Sequence, residues 1–579
     1  MFDWRKLDEQ QICKTVMRHF GRVKTLREVH EPLMRINTKL FLPRRSEISK
    51  GRKKGDEYTV PIYDANPAQA TRKFSVGFSA QMVEKSYGDQ WWLNFEVPDQ
   101  KLMKVDRVKE YLQNYAVQIR YGYDRSNFYR EFPLFLKNGS VTHGIQTAVS
   151  DLRKDRVVFT NRDPWDHWFS VDQHGDIDCD FFRLDMTAKT ICEKFEKKDV
   201  PNKILKKMDP ENKEGDPYQE YEVICAVYEN GSVRNDSVNP TDKPYISFYM
   251  TASAEPGKDY TLLGREGDDH RPIPLRLGER TASGIPISMA ADALTSAIFG
   301  NALSKHRLKA SHLGVEPPAM VSATLEDQVL LNKLNPNSKT FVSDAEERIE
   351  YITTKLNPQD AEYQILKEDR VVNDIFYISM LELLTARDTS VKTLGEIYAM
   401  LDEQLGLMGP VVEATEDDAL EPCTEIIALH EQHRLPDMPQ ELVDYINESG
   451  QVDSRGEKQI KLKNKYVGKL HRLKRMLPQA KSSVEQIAIM KEFGEVFPDS
   501  LVIIEQRKTL ERILVARGMP MDELKTDAML KEIDAEIQRR QEFEEKMLLA
   551  ERVAKMTPAL TKDAVDPKSP AAQIAGGVK

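Results

Sequence analysis

Few residues in this chain stand in patterns that could carry out a reaction. His430 and His433 lie three apart in a helical stretch, a spacing that can set two imidazoles on one metal ion. No third ligand stands near them, so a metal centre is not expected. Asp172, Asp176, Asp178 and Asp180 surround Gly175 and superficially resemble a calcium loop. They lack the acidic spacing and the closing bidentate Glu of an EF-hand, and a hairpin turn with solvated acids is the simpler reading. A phosphate-cradling loop needs Gly-rich backbone running into Lys-Ser or Lys-Thr, whereas Gly257-Lys258 is followed by Asp259. No Ser-His-Asp or Cys-His set can be argued from spacing alone. The expectation is a protein that is not an enzyme and needs no cofactor, with a nuclease or packaging ATPase as the disfavoured alternative.

Binding chemistry is better represented. Trp91-Trp92 and Trp165/Trp168 could stack on bases, although aromatic pairs beside amphipathic helices more often sit in a core. Local basic groups recur: Arg44 to Lys54, then Lys305, His306, Arg307 and Lys309, then Arg387 and Lys392. A longer run, read as a helix over 458–475, carries Lys458, Lys461, Lys465, Lys469, Arg472 and Arg475. Such groups can meet phosphates without reading sequence. Solvated helix ends, loops or inter-subunit faces explain them equally well. The formal net charge is -10, so any DNA contact must rest on these local charges and not on a basic protein.

The elements that must position these residues follow from composition and period. A chain of 579 residues with 40% apolar content can build about two to four packed units. Cys13, Cys179, Cys192, Cys225 and Cys423 are scattered and odd in number, which points to a reducing compartment without disulfides or a zinc site. No apolar run approaches the ~20 residues of a membrane helix, and MFDWRKLDEQQ is unlike a signal peptide; the expectation is a soluble, intracellular protein.

The first half reads as mixed. Helix is expected over 5–40, from an Asn66 cap with Pro67 to about Lys85, over 101–123 and over 127–137. Period-two stretches flank His174-Gly175 as one hairpin, and a second β region spans Tyr221–Val227 and Tyr245–Met250. From about residue 285 long helices dominate: 287–312, then an irregular stretch over 314–342. A capping box at Ser343 opens a helix to Lys355, and another helix runs from Asn357-Pro358 to Ala386. A polar loop at 387–392 precedes a helix opened by the capping box Thr393–Glu396, with a kink expected at Gly409-Pro410. Helix is expected again over 435–556, and a disordered tail after 557.

The order of these elements resembles one family. Asp64-Ala-Asn-Pro-Ala-Gln-Ala-Thr-Arg-Lys-Phe74, Phe78 to Met82 and Gln90-Trp-Trp-Leu93 look like the early helix and Trp-containing strand of the portal, or head-to-tail connector, proteins of short-tailed podovirus-type phages. Arg125-Ser-Asn-Phe-Tyr129 resembles the family's SNF/SNSY helix start. Trp168 to Asp172, Gly175-Asp-Ile-Asp178 and Phe182-Arg183 resemble its hairpin. The likeness covers roughly 20–475. One departure is Thr281-Ala-Ser-Gly284, where family members often carry Tyr-Gly.

The resemblance implies an α+β, mainly helical portal-type fold. It would have a mixed wing (1–284), stem helices (285–313 and 358–386), a clip (314–357) and a tunnel loop (387–392). A long kinked helix (393–434) and a helical crown (435–556) would follow. It implies a dodecameric ring at one capsid vertex that passes double-stranded DNA. Its partners would be the terminase large subunit, a tail adaptor and the major capsid protein, without any membrane, and it would be assembled in the host cytoplasm. Arg387 and Lys392, and Lys305, Arg307 and Lys309 at the stem end, would face DNA; the 458–475 run would form a basic crown face. Another virion structural protein, of tail or capsid, is the alternative.

Overall fold

The computed structural model describes residues 7–43, 62–84, 91–208, 215–230, 242–252, 259–315, 358–385, 406–449 and 462–471, apart from Gln100, Leu152, Ala282 and Lys469. Trp4, the short pieces 319–320 and 350–351 and isolated positions near the C-terminus are also described. The chain divides into two units, Met1–Lys474 and Arg475–Lys579, and the elements that follow lie in the first.

Helices α1 (Glu9–Glu28) and α2 (Glu31–Phe41) replace the single helix expected over 5–40. Pro32 cannot donate to the carbonyl four residues back, so the chain restarts there. Helix α3 (Asn66–Met82) leads to β1 (Leu93–Glu96), α4 (Asp106–Arg125) and α5 (Phe128–Val141). Next come β2 (Gly144–Asp151), β3 (Arg156–Asn161), β4 (His167–Val171), β5 (Ile177–Thr187), α6 (Ala188–Lys194) and α7 (Asn202–Met208). Strands β6 (Glu220–Glu229), β7 (Tyr245–Ala252), β8 (Tyr260–Asp268) and β9 (Ile273–Leu275) complete the sheets.

Strands β4 to β8 form an antiparallel meander in sequence order, and β3-β2-β9 form a second sheet. Alternate residues of the meander point to opposite faces. One face carries Phe181, Ala226 and Phe248 against Ile12, Val16 and Val23 of α1; the other carries Phe182, Cys225 and Tyr249 against Ile191 of α6 and Ile204 of α7. Because both faces are covered, β6 and β7 read as continuous apolar runs and not as strict alternation. That is why β8, which starts apolar and ends charged, escaped the pattern search.

The hairpin β10 (Gly278–Arg280) and β11 (Pro286–Ser288) feeds α8 (Met289–Asp292) and α9 (Leu294–Val315). Strand β12 (Ala319–Met320) pairs antiparallel with β13 (Glu350–Tyr351), so the chain returns to α10 (Pro358–Ile375) and α11 (Ile378–Thr385). Two expectations fail here. Tyr351-Ile-Thr-Thr354 is β-branched and aromatic, and at Glu350–Tyr351 strand pairing prevails over the capping-box signal at Ser343. The helix expected over 358–386 breaks at Tyr377, whose φ of 54° is left-handed. Phe376 just before the break lies within 6.1 Å of Phe74 and 5.6 Å of Phe41, which ties the joint to α3 and α2.

A helix over 406–415 (α12) passes through Gly409-Pro410 unbroken. The irregularity falls instead at Glu416–Leu420, a π-helical turn before α13 (Glu421–Glu431). Pro422 has no amide hydrogen and its ring would strike the carbonyl four residues back; the wider turn accommodates it, with Glu421 N–H reaching Glu416 O. Helix α14 (Gln440–Ser449) and strand β14 (Lys463–Tyr466) follow. Strand β14 pairs with β1, Leu93 opposite Tyr466, so these residues are strand where helix was expected.

Candidate nucleic-acid interface

Helix α9 carries the basic residues singled out in the sequence, and its root is well built. Ser288 caps α8 by accepting from Ala291 N–H and donates to Val141 O at 2.7 Å. Ala293, Ala297, Gly300 and Ser304 are buried, four residues at helical spacing. A Cβ on Gly300 would stand 3.0 Å from Asp64 Oδ2, so this position keeps the 62–66 segment close. Asn301 Oδ1 accepts from Tyr63 N–H (2.7 Å) and Asp64 N–H (3.2 Å). Asp64 in turn accepts from Asn66 N–H at 2.9 Å, and Asn66 Nδ2 donates to Asp369 O of α10 at 3.3 Å. Asp64 therefore does the capping expected of Asn66, which instead ties α3 to α10.

Lys305, His306, Arg307 and Lys309 are exposed. Lys305 Nζ lies 5.7 Å from the Tyr63 ring centroid. Arg307 acts on a pair of acids: burial first, then the neighbouring Asp64, pushes the Asp369 carboxyl up to about 6, and the Arg307 charge opposes that rise. Burial likewise raises Asp64, again against Arg307. Lys305 and Lys309 are thus presented to solvent, whereas Arg307 also balances the α9–α10 joint. The two acids and Asn301 form a hub that spacing did not reveal, since Asp64 lies 237 positions from Asn301.

The other basic candidates fare differently. Arg387, Lys392, Lys458, Lys461, Lys469, Arg472 and Arg475 lie outside the described residues. Lys465 is on β14, not on a helix, and pairs with Glu96 across the β1–β14 ladder. Cross-strand neutralisation takes it out of any free basic face. Trp91 and Trp92 are buried, and both indole N–H groups lie 3.3 Å from Tyr129 Oη. Trp168 is buried under Arg27, whose guanidinium lies 4.5 Å from its ring. These rings belong to the core and not to a base-stacking platform.

The four acids near Gly175 separate. Asp172 caps the turn by accepting from His174 and Asp176 N–H, with Gly175 at φ 86°. Asp180 is buried, and there the solvated-acid reading is wrong. It accepts from His167 Nε2 at 3.0 Å and lies 3.4 Å from Arg271. His167 Nδ1 is 3.2 Å from His143 Nε2. A carboxylate only accepts, so His167 carries its proton on Nε2 and His143 donates to it, which leaves His143 Nδ1 as a buried lone pair without a partner. Burial holds both imidazoles below their ordinary range, His143 the further, with His167, Arg27 and Arg276 reinforcing it. The chain His143–His167–Asp180–Arg271 acts as a strut joining β4, β5 and the segments beside β2 and β9. His430, one of the suspected metal ligands, has its Nδ1 3.3 Å from Ser150 Oγ and Nε2 3.8 Å from Asp155.

Helix α13 is locked on by Glu431. This fully buried carboxylate takes Gln118 at 2.8 Å and Arg434 at 3.2 Å, and pairs with Arg125. Gly122 of α4 makes that approach possible, since a Cβ there would lie 2.5 Å from Ile427.

An α+β unit thus supports an antiparallel helix pair whose first member is basic. Residues 13–524 match the family described as bacteriophage head to tail connecting protein. The chain belongs to that family. It is also 21% identical over 481 residues to the portal protein of Salmonella phage epsilon15, covering 80% of this chain and 83% of the relative. The connector resemblance read from the order of capped helices is borne out. Among the described residues of this connector, no helix is long and apolar enough to cross a membrane.

Proposed function

We propose that this connector forms a ring at one vertex of the phage capsid, through which DNA enters during packaging and leaves at ejection. The supporting observation is the family match over 13–524 together with an exposed, acid-free basic helix, α9, standing on a built root. Repeated around a ring, exposed cations hold a duplex through phosphates without reading bases. In this reading residues 1–284 are the wing, α8–α9 and α10–α11 the stem, 314–357 the clip and 387–392 the tunnel loop with Arg387 and Lys392. The helix over 393–434 returns to the wing, and the crown follows over 435–556. The clip docks the terminase large subunit during packaging and a tail adaptor afterwards, the wing meets the major capsid protein, and the copy number is twelve. The ring turns over no substrate; a separate motor drives the DNA. Particles assembled without this chain are expected to be tailless and to hold no DNA. Tailed, filled particles lacking it would overturn the proposal.

A further inference from the structure

Helices α9 and α10 each carry a second stripe of exposed residues on the side away from the chain's own core. On α9 and the turn before it, the buried positions 293, 297, 300 and 304 are followed five residues later by exposed Ile298, Ala302, Lys305 and Lys309. At about 100° per residue that stripe lies about 140° round the helix from the buried one. On α10, buried Ala361, Ile365 and Val372 contrast with exposed Tyr363, Leu366 and Arg370. Tyr363 is 73% exposed, Leu366 52% and Ile298 47%, high values for large apolar side chains. Steps of four, three and four residues are those of a helix–helix seam.

The two stripes also match in level. The β12–β13 pairing turns the chain back, so α10 runs antiparallel to α9, and Gly300 faces Glu368 across the pair closely enough that a Cβ added at Gly300 would stand 3.9 Å from Glu368 Cβ. Counting outward from that contact at equal rise, 298 is level with 370, 302 with 366 and 305 with 363. Glu362 and Asp360 stand level with His306 and Leu308, between Lys305 and Lys309. Helix α9 contains no Asp or Glu, and α10 has no base before Lys367. Lys367 and Arg370 are level with Asn301 and Ile298, an uncharged part of α9. Side by side, the stripes would therefore place acids against bases, Leu366 against Ala302, and Lys305 against the Tyr363 ring, with no like charges opposed.

We infer that the occupant of these stripes is a second copy of this chain: α10 of one copy packs on α9 of the next through Ala302–Leu366, Lys305–Tyr363 and the charge set Lys305, Lys309, Glu362, Asp360. The contact joins two different surfaces, so it repeats head to tail and closes on rotation. Rotation about an axis alongside the pair preserves level, which is where the inference rests on the ring proposed above. Lys305 and Lys309 then serve the subunit contact, and of the exposed α9 cations Arg307 is the one left to meet DNA.

The test uses the full chain and two double reversals, Lys305→Glu with Lys309→Glu, and Asp360→Lys with Glu362→Lys. All four side chains are exposed, so circular dichroism and the monomer melt are expected to stay unchanged. Each reversal alone opposes like charges and is expected to weaken ring assembly on the order of a hundredfold by native mass spectrometry, while mixing the two variants restores it as a ring of alternating copies and combining all four changes in one chain restores it too. A cysteine pair, Ala302→Cys with Leu366→Cys, is expected to give a ladder of cross-linked multimers on oxidation. Wild-type rings that tolerate both reversals and give no ladder overturn this surface while leaving the ring intact. A wild type that forms no oligomer contradicts the ring itself.

Discussion

The five-stranded sheet and the α9–α10 pair are both built from apolar-rich segments, yet they finish their surfaces differently. Phe181 and Phe182 are adjacent on β5 and both are buried, one under α1 and the other under α6 and α7. Ile298 and Phe299 are adjacent on α9 and each is 47% exposed. In the sheet even the charges are answered inside the chain, as Asp180 is by His167 and Arg271. Along α9 the exposed cations have no acid on their own helix. The sheet is a finished core whose job is to hold its shape; the helix pair is a surface completed by something else.

The contrast breaks or sharpens under substitution. The largest effect belongs to the sheet: Phe181→Ala removes a fully buried ring between α1 and the meander and is expected to cost about 4 kcal/mol of stability in denaturant titration. Next is Glu431→Ala, which leaves Arg125 and Arg434 without their shared buried carboxylate and is expected to cost about 3 kcal/mol. A loss below ~1 kcal/mol in either would show that the sheet unit is not self-sufficient.

The regions should also respond to pH with opposite sign. In the sheet, His143 and His167 have folded values below 6.5, so the unfolded chain binds more protons as pH falls below 6.5, and stability drops there. His143→Phe is expected to flatten that slope. At the α9–α10 joint, Asp369 is raised from 3.8 to about 6, so the folded state binds more protons between those values. Its contribution is fully present below 3.8 and fades as pH rises through 6; Asp369→Asn is expected to remove this dependence in a melt series from pH 4 to 8. Equal slopes before and after the two substitutions would remove the electrostatic half of the contrast.

The smallest effect is expected from Phe299→Ala. Its ring is half-exposed, so the monomer should change by less than ~0.5 kcal/mol, whereas assembly is the readout that moves if the surface is shared between copies.

Much of the fold was legible because local signals agreed with tertiary structure: the hairpin at Gly175, the helix opened by Asn66-Pro67, the helix over 287–312 and, up to its break at Tyr377, the helix over 358–386. What failed did so for long-range reasons. Strand β14 is a Lys-Asn-Lys-Tyr segment with no strand pattern of its own; pairing with β1 some 370 residues earlier makes it one. Asp180 reads as a turn acid until His167 is brought beside it by the β4–β5 register. The hub of Asp64, Asn301 and Asp369 joins three distant segments, and no spacing rule reaches it. Proline did carry information at the long helix, but at Pro422 and not at Pro410, because only there does the chain widen into a π turn.

The central claim is that this connector closes into a ring around DNA. An averaged image of the purified full-length protein, viewed along its symmetry axis, tests it most directly. A closed ring with a central opening wide enough for duplex DNA is the expected result; a field of monomers, dimers or open filaments would contradict it.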